Sequence, residues 1–262
     1  FMSSAFDQES LSFLVNELKL DLLKIPSGEI TNGPFLLDHA RTGCNVILST
    51  GMSNLQEIQD ALSILAFGYF SDLEPTRKLL EATYDSRKGK KILKEKVTLM
   101  HCTSQYPAPS KDINLSAITT MQKKFNLRVG FSDHSEGTII PTNAVTLGAS
   151  VIEKHFTIDK LLPGPDHKAS LNPEELKNMI TNIRITEKSL GNGVKTLQPS
   201  EQENKNIARK SIFAKETIRK GDIFSSKNLV IKRPGDGRSP MDFWEIVGES
   251  SDKDYLPEDF IK

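Results

Sequence analysis

The sequence predicts an α/β chain in which six strands of a (β/α)8 TIM barrel are followed by a small, mostly β domain. Three observations carry that expectation. Short apolar runs alternate with amphipathic helical stretches over the first two thirds of the chain. Each run closes on Ser, Thr, Gly, His or Asp, and the alternation stops near residue 190. Strict strand–helix alternation implies parallel strands joined by helical crossovers. In a barrel the chemistry sits at the C-terminal ends of such strands, where these polar closures fall. A doubly wound sheet would also alternate, but it calls for a Gly-rich loop after its first strand, and none is seen.

The runs in order are "FMSSAF", "LDLLKIPSG", "NVILSTGM", "VTLMHCTS", "LRVGFSDH" and "SVIEKHFT". The first helical pattern, "DQESLSFLVNELK", opens on Asp7, a residue suited to accept from the free N–H groups of a first turn. "NLSAITTMQKKF" supplies another crossover. The stretch "SDLEPTRKLLEATYDSRKGKKILKEK" is longer than one crossover helix needs and reads as a helix with a charged, solvated insertion. Residues 1–190 therefore form the barrel part. Residues 191–206, polar and without apolar periodicity, read as a linker. Residues 207–262, short strands punctuated by Gly and Pro, form the second domain. The chain is strand-like from its first residue, which leads us to expect that a preceding segment is missing.

The 262 residues carry Lys+Arg 34 against Asp+Glu 34, a formal net charge of zero. That balance gives no support for a nucleic-acid or anionic-membrane partner. No apolar run approaches the ~18 residues of a membrane span. Cys44 and Cys102 both lie in strand-like runs and read as reduced core residues, which suits the cytoplasm.

Two histidines, His134 in "GFSDHS" and His155 in "VIEKHFT", end successive apolar runs. Side chains alternate across a strand, so Ser132 shares a face with His134, and Glu153 with His155. Adjacent strands would bring the imidazoles together at the barrel mouth, leaving most positions of a divalent ion open, as a catalytic site does. A lone strand-end histidine is more often structural. Two in register, each beside a carboxylate (Asp133, Glu153), favour a site.

Lys24 interrupts an apolar run. An inward lysine there suggests an anionic ligand, whereas a surface lysine would lay its stem along apolar surface. Ser27, Glu29, Ser49, Ser104 and Ser132 fall near the same strand ends. A lysine with several hydroxyls suits a phosphate or carboxylate. Any one serine is equally a turn residue. Tyr106 before "PAP" reads equally as packing, and Asp166 in "GPDHK" as an Asx-turn residue. His39 and His167 read as structural, and His101 as a core histidine.

Together "KIPSGEITN", "LSTGMS", "HCTSQYPAP", "GFSDHSEG", "IEKHFT", "GPDHKASL" and "VIKRPGDG" resemble the sialic acid (N-acetylneuraminate, nonulosonic acid) synthases, in the same order and over essentially the whole chain. The resemblance implies a (β/α)8 barrel with a C-terminal antifreeze-like (SAF) domain. It implies condensation of phosphoenolpyruvate with an N-acetylmannosamine-type aldehyde sugar, releasing phosphate. It places Mn2+ or Mg2+ on His134 and His155, and phosphoenolpyruvate on Lys24, Ser27, Ser49, Ser104 and Ser132, with Ser4 at the end of the first run. Glu29, Tyr106 and Asp166 then surround the sugar and the reacting centre. Arg233, in "KRPGDG", matches an arginine that the antifreeze-like domain of a partner subunit inserts into the site, which implies a domain-swapped homodimer.

Two departures accompany the resemblance. Position 104 is Ser where some members carry the longer Asn. Members also begin with two further strand–helix units, which bear a glutamate and a second phosphate-binding lysine, so residues 1–262 alone are expected to be inactive. Competing readings are another phosphoenolpyruvate–aldose condensing enzyme and a non-catalytic sugar-binding protein. "KRPGDG" argues against the first, and intact Lys24, His134 and His155 against the second.

Overall fold

The computed structural model describes residues 1–262, which divide into two compact units, Phe1–Asn192 and Gly193–Lys262. The first holds one parallel sheet of five strands in sequence order: β1 (Leu22–Ile25), β2 (Asn45–Ser49), β3 (Val97–Cys102), β4 (Arg128–Asp133) and β5 (Ile152–Lys154). It is the half-barrel form of the expected architecture, open rather than closed.

The sixth expected strand, "FMSSAF", is corrected to a single parallel bridge between Ser4 and Lys24. Phe1, Met2 and Phe6 around it are exposed, so the run has one partner and little burial to hold a longer ladder.

The crossovers follow local sequence logic. Helix α1 (Gln8–Ser12) starts where Asp7 accepts from the Ser10 N–H at 2.7 Å, and it widens into a π-type turn over Phe13–Glu17. Helix α2 (Gly33–Arg41) is capped by Asn32, with Pro34 in its first turn. Helix α3 (Leu55–Gly68) opens with a reciprocal Asn54–Glu57 capping box.

The long insertion differs from its sequence reading. It folds as two helices, α4 (Arg77–Asp85) and α5 (Arg87–Lys96), sharing Ser86 as the end of one and the cap of the next. Tyr84 and Leu93 reach the main core, so this segment is packed on one face rather than solvated throughout.

Helices α6 (Ser116–Phe125), α7 (Ile139–Thr146) and α8 (Pro173–Leu190) complete the unit. Alternate strand residues Val46, Leu48, Leu99, Val129 and Phe131 pack with α3 and α6 residues such as Leu62, Leu65, Ile118 and Met121. The intervening positions, including Lys24, Ser49, Cys102, Ser132 and Glu153, take the opposite face of the sheet.

In the second unit, β6 (Ser211–Ala214) and β7 (Leu229–Lys232) pair antiparallel. Ile212, Ile218, Phe224, Leu229, Ile246, Tyr255 and Ile261 form its own core, with Ile246 at the end of the short helical turn Phe243–Ile246. The segment read as a linker is not structureless, because helix α9 (Gln202–Ala208) starts within it. No helix is long and apolar enough to cross a membrane.

Candidate active site

The register of β4 and β5 decides what meets at the sheet's end. Ser132 lies opposite Glu153, and Asp133 opposite Lys154. Ser132 Oγ donates to Glu153 Oε1 at 2.7 Å, and Lys24 Nζ reaches the same carboxylate at 3.1 and 3.0 Å. Lys24 is therefore buried on β1 and bound to a carboxylate on β5, which excludes the snorkelling alternative. Burial by itself would raise the Glu153 carboxyl. The Lys24 charge and the hydrogen bonds from Ser132 and Lys24 outweigh it and hold the group below its ordinary value.

Sequence reasoning noted Glu153 beside His155 but missed it as the partner of Lys24. Its signal was the alternation that puts it on the Ser132 face. What the sequence does not contain is that β1 and β5 face each other across the sheet's curvature.

Ser27, Cys102 and Ser104 crowd around Gly51. Ser27 Oγ accepts from the Gly51 N–H at 3.0 Å and lies 3.1 Å from Cys102 Sγ. A Cβ at position 51 would overlap Ser104 Oγ and stand 2.8 Å from both Cys102 Sγ and Ser27 Oγ. Only glycine lets the backbone approach this closely. Ser49 Oγ, at the end of β2, is buried without a hydrogen-bond partner, a state that costs free energy unless a ligand or water satisfies it.

The two histidines stand with ring centroids 5.5 Å apart, and Tyr106 packs on both, at 4.2 Å from His134 and 5.5 Å from His155. His134 Nδ1 lies 2.8 Å from the Thr103 carbonyl. A carbonyl only accepts, so Nδ1 carries the hydrogen and Nε2 keeps its lone pair. Burial, with the neighbouring His155 charge, lowers the His134 pKa and favours the neutral form that a metal requires. His155 Nδ1 lies 3.6 Å from Asp166 Oδ2. Burial, with the negative charges of Asp166 and Glu153 nearby, raises the Tyr106 phenol.

The two imidazoles could hold a divalent ion between them. No group of three or more His, Cys, Asp or Glu side chains is assembled as a full protein cage. Tyr106, His134, His155 and Asp166 line one small pocket, together with Asp133, Ser135, Lys154 and Ala169.

Of the expected residues, three are placed elsewhere or differently. Glu29 accepts from Asn32 Nδ2 at 2.7 Å at the start of α2, a local contact that does not involve the histidine pair. Ser4 reaches the site only through its bridge to Lys24. Arg233 belongs to the second unit, where its Nε donates to the Ala208 carbonyl at 3.0 Å. His39 and His101 bond to the carbonyls of Phe35 and Ile113 at 2.8 and 2.7 Å, in keeping with structural roles.

Comparison with known proteins places this arrangement in a family. The chain is 47% identical over 262 residues to the N,N'-diacetyllegionaminic acid synthase of Campylobacter jejuni, matching all of this chain and 72% of that protein. It is 42% identical over 248 residues to the enzyme of the same name from Legionella pneumophila, matching 95% of this chain and 64% of that protein. Among solved structures, the N-acetylneuraminic acid (sialic acid) synthetase of Leptospira borgpetersenii matches with a TM-score of 0.62 at 36% identity, covering 77% of this chain and 61% of that one. The profile described as the NeuB family matches residues 1–195. The chain belongs to the NeuB family.

Proposed function

We propose that this chain is the greater part of a nonulosonic acid synthase, a transferase that joins phosphoenolpyruvate to an N-acetylmannosamine-type aldehyde sugar and releases phosphate. The observation that carries the proposal is the 47% identity to a legionaminic acid synthase over the whole of this chain. The convergence of Lys24, Glu153 and Ser132 near a histidine pair supports it. Two relatives named for legionaminic acid favour the 6-deoxy, diacetamido sugar over N-acetylmannosamine itself.

In this reading Lys24, Ser27, Ser49, Ser104 and Ser132 hold the charged groups of phosphoenolpyruvate, with Ser4 at the margin. The unpartnered Ser49 hydroxyl, and the Ser27 and Ser104 hydroxyls gathered at Gly51, are what an oxyanion would use. Mn2+ or Mg2+ on His134 and His155 would polarise the sugar aldehyde as a Lewis acid. Tyr106 walls the pocket against water, and Asp166 orients His155 and meets the sugar. Glu29 is proposed to reach the reacting centre only when substrate draws it from Asn32.

The second unit is proposed to be an antiparallel antifreeze-like (SAF) domain that offers Arg233 to the site of a partner in a domain-swapped homodimer. The two free, buried cysteines suit a reducing compartment, and the cytoplasm is the proposed location. The complete barrel of eight strands is the proposed architecture of the whole protein. The test is phosphate release from phosphoenolpyruvate by the whole protein, with Mn2+, against a panel containing N-acetylmannosamine, its 6-deoxy diacetamido relative, and aldose phosphates. Release with an aldose phosphate alone would replace this reading by that of another phosphoenolpyruvate–aldose condensing enzyme.

A further inference from the structure

The ends of β4 and β5 carry an ion pair that the proposed chemistry leaves unused. Lys154 Nζ lies 2.6 Å from Asp133 Oδ2, and both side chains are almost wholly buried, at 3% and 0% exposure. Lys154 also donates to the Ser135 carbonyl. The other Asp133 oxygen, Oδ1, accepts from the Ser135 N–H at 2.9 Å and from its hydroxyl at 2.6 Å.

The place of this network in the ladder matters. Asp133 and Lys154 are the last register partners of the two strands. One residue later on each strand come His134 and His155. Where ladder pairing stops, side-chain charge continues the cross-link. On β4 the network holds the residues on both sides of His134, bending the chain there into an Asx turn. On β5 it holds the residue before His155, whose own carbonyl accepts from the Leu171 N–H at 2.9 Å.

A buried ion pair is poor evidence for stability, because desolvation offsets much of its attraction, and one good use of such a pair is to specify a geometry. We propose that Asp133, Lys154 and Ser135 form a positioning clamp that sets the spacing and facing of the His134 and His155 rings. The clamp acts on ring geometry, and through it on a divalent cation in the reading given above, on which that second consequence rests. Outer supports of metal-binding histidines change metal affinity by ~10–100-fold when removed.

The test uses the full chain and the double variant Asp133→Leu with Lys154→Met, which leaves no lone buried charge and so separates geometry from misfolding. Two readouts are taken on the folded variant: ring-to-ring nuclear Overhauser contacts among Tyr106, His134 and His155, and Mn2+ affinity by calorimetry. The proposal expects the ring contacts to weaken or vanish, and Mn2+ binding to fall by ~10–100-fold. Ring contacts unchanged in the folded variant overturn the clamp, whatever the metal affinity. If the variant does not fold, Ser135→Ala, which removes only the hydroxyl donor to Asp133, must still shift the His134 ring signals, and signals unmoved there overturn it. Wild-type protein that binds no Mn2+ yet shows the ring contacts, lost in the variant, would refute the metal reading and sustain the clamp.

Discussion

Lys24→Met keeps the reach of the side chain and removes its charge. Lys24 Nζ is 3.0 Å from Glu153 Oε2, with side-chain exposures of 11% and 37%. At an effective dielectric of about 20 the bare attraction at that distance is ~5 kcal/mol. Desolvation of both groups offsets most of it, leaving the ~1.5–3 kcal/mol typical of a hydrogen bond to a charged group. Glu153 keeps the Ser132 hydroxyl at 2.7 Å, so its carboxylate is not wholly abandoned. We expect Lys24→Met to lower unfolding free energy by ~2 kcal/mol in urea titration. Phosphoenolpyruvate affinity should fall by roughly one to two orders of magnitude, the equivalent of ~1.4–2.8 kcal/mol.

The double variant with Glu153→Gln separates the two effects. Stability should partly return, because no unpaired buried charge remains, while phosphoenolpyruvate binding stays weak. An unchanged dissociation constant for Lys24→Met in calorimetry would refute the assignment of Lys24 to the anion. Strictly additive stability effects of the two replacements would refute the ion pair as a coupled unit.

His155→Ala should abolish metal-dependent turnover while circular dichroism and melting stay near wild type, and full activity would remove His155 from the proposed metal site. Gly51→Ala drives a methyl into Ser104 Oγ, Cys102 Sγ and Ser27 Oγ, and should cost ~1–3 kcal/mol in urea titration, as overpacking does. Burial lowers the His39 pKa, and its Nε2 has no partner, so the unfolded chain binds the extra proton first. Its contribution is complete above the ordinary imidazole value of ~6.5 and is lost as pH falls from there to the depressed folded value, so His39→Leu should flatten stability against pH in that window. Arg233→Ala and His134→Ala subunits, inactive apart, should recover part of the activity when mixed, and heterodimers without activity would refute the swap.

Much of the strand–helix grammar is local and was readable without coordinates. The apolar runs of β1 to β5 and the cap at Asp7 depend on period and side-chain chemistry within a few residues. The same locality explains why "FMSSAF" misled: its apolar residues suit a strand, but pairing depends on neighbours outside the run. The insertion before β3 misled in the opposite sense. Its charged surface hid Tyr84 and Leu93, two anchors that are recognisable only once α3 is beside them.

By itself the sequence determined which residue types end each strand, and hence that hydroxyls, a lysine and two imidazoles cluster at one end of a parallel sheet. Only the tertiary structure decided their pairing. Lys24 and Glu153 are 129 residues apart, and no local rule brings them together. Their meeting follows from the order β1 to β5 and the curl of the sheet, which turns its two outer strands toward each other. The same is true of Asp133 with Lys154, whose match depends on the β4–β5 register, since a slip of one residue in either strand would leave the two on opposite faces. Side-chain chemistry is written residue by residue, whereas register and strand order are set by the burial of the whole core.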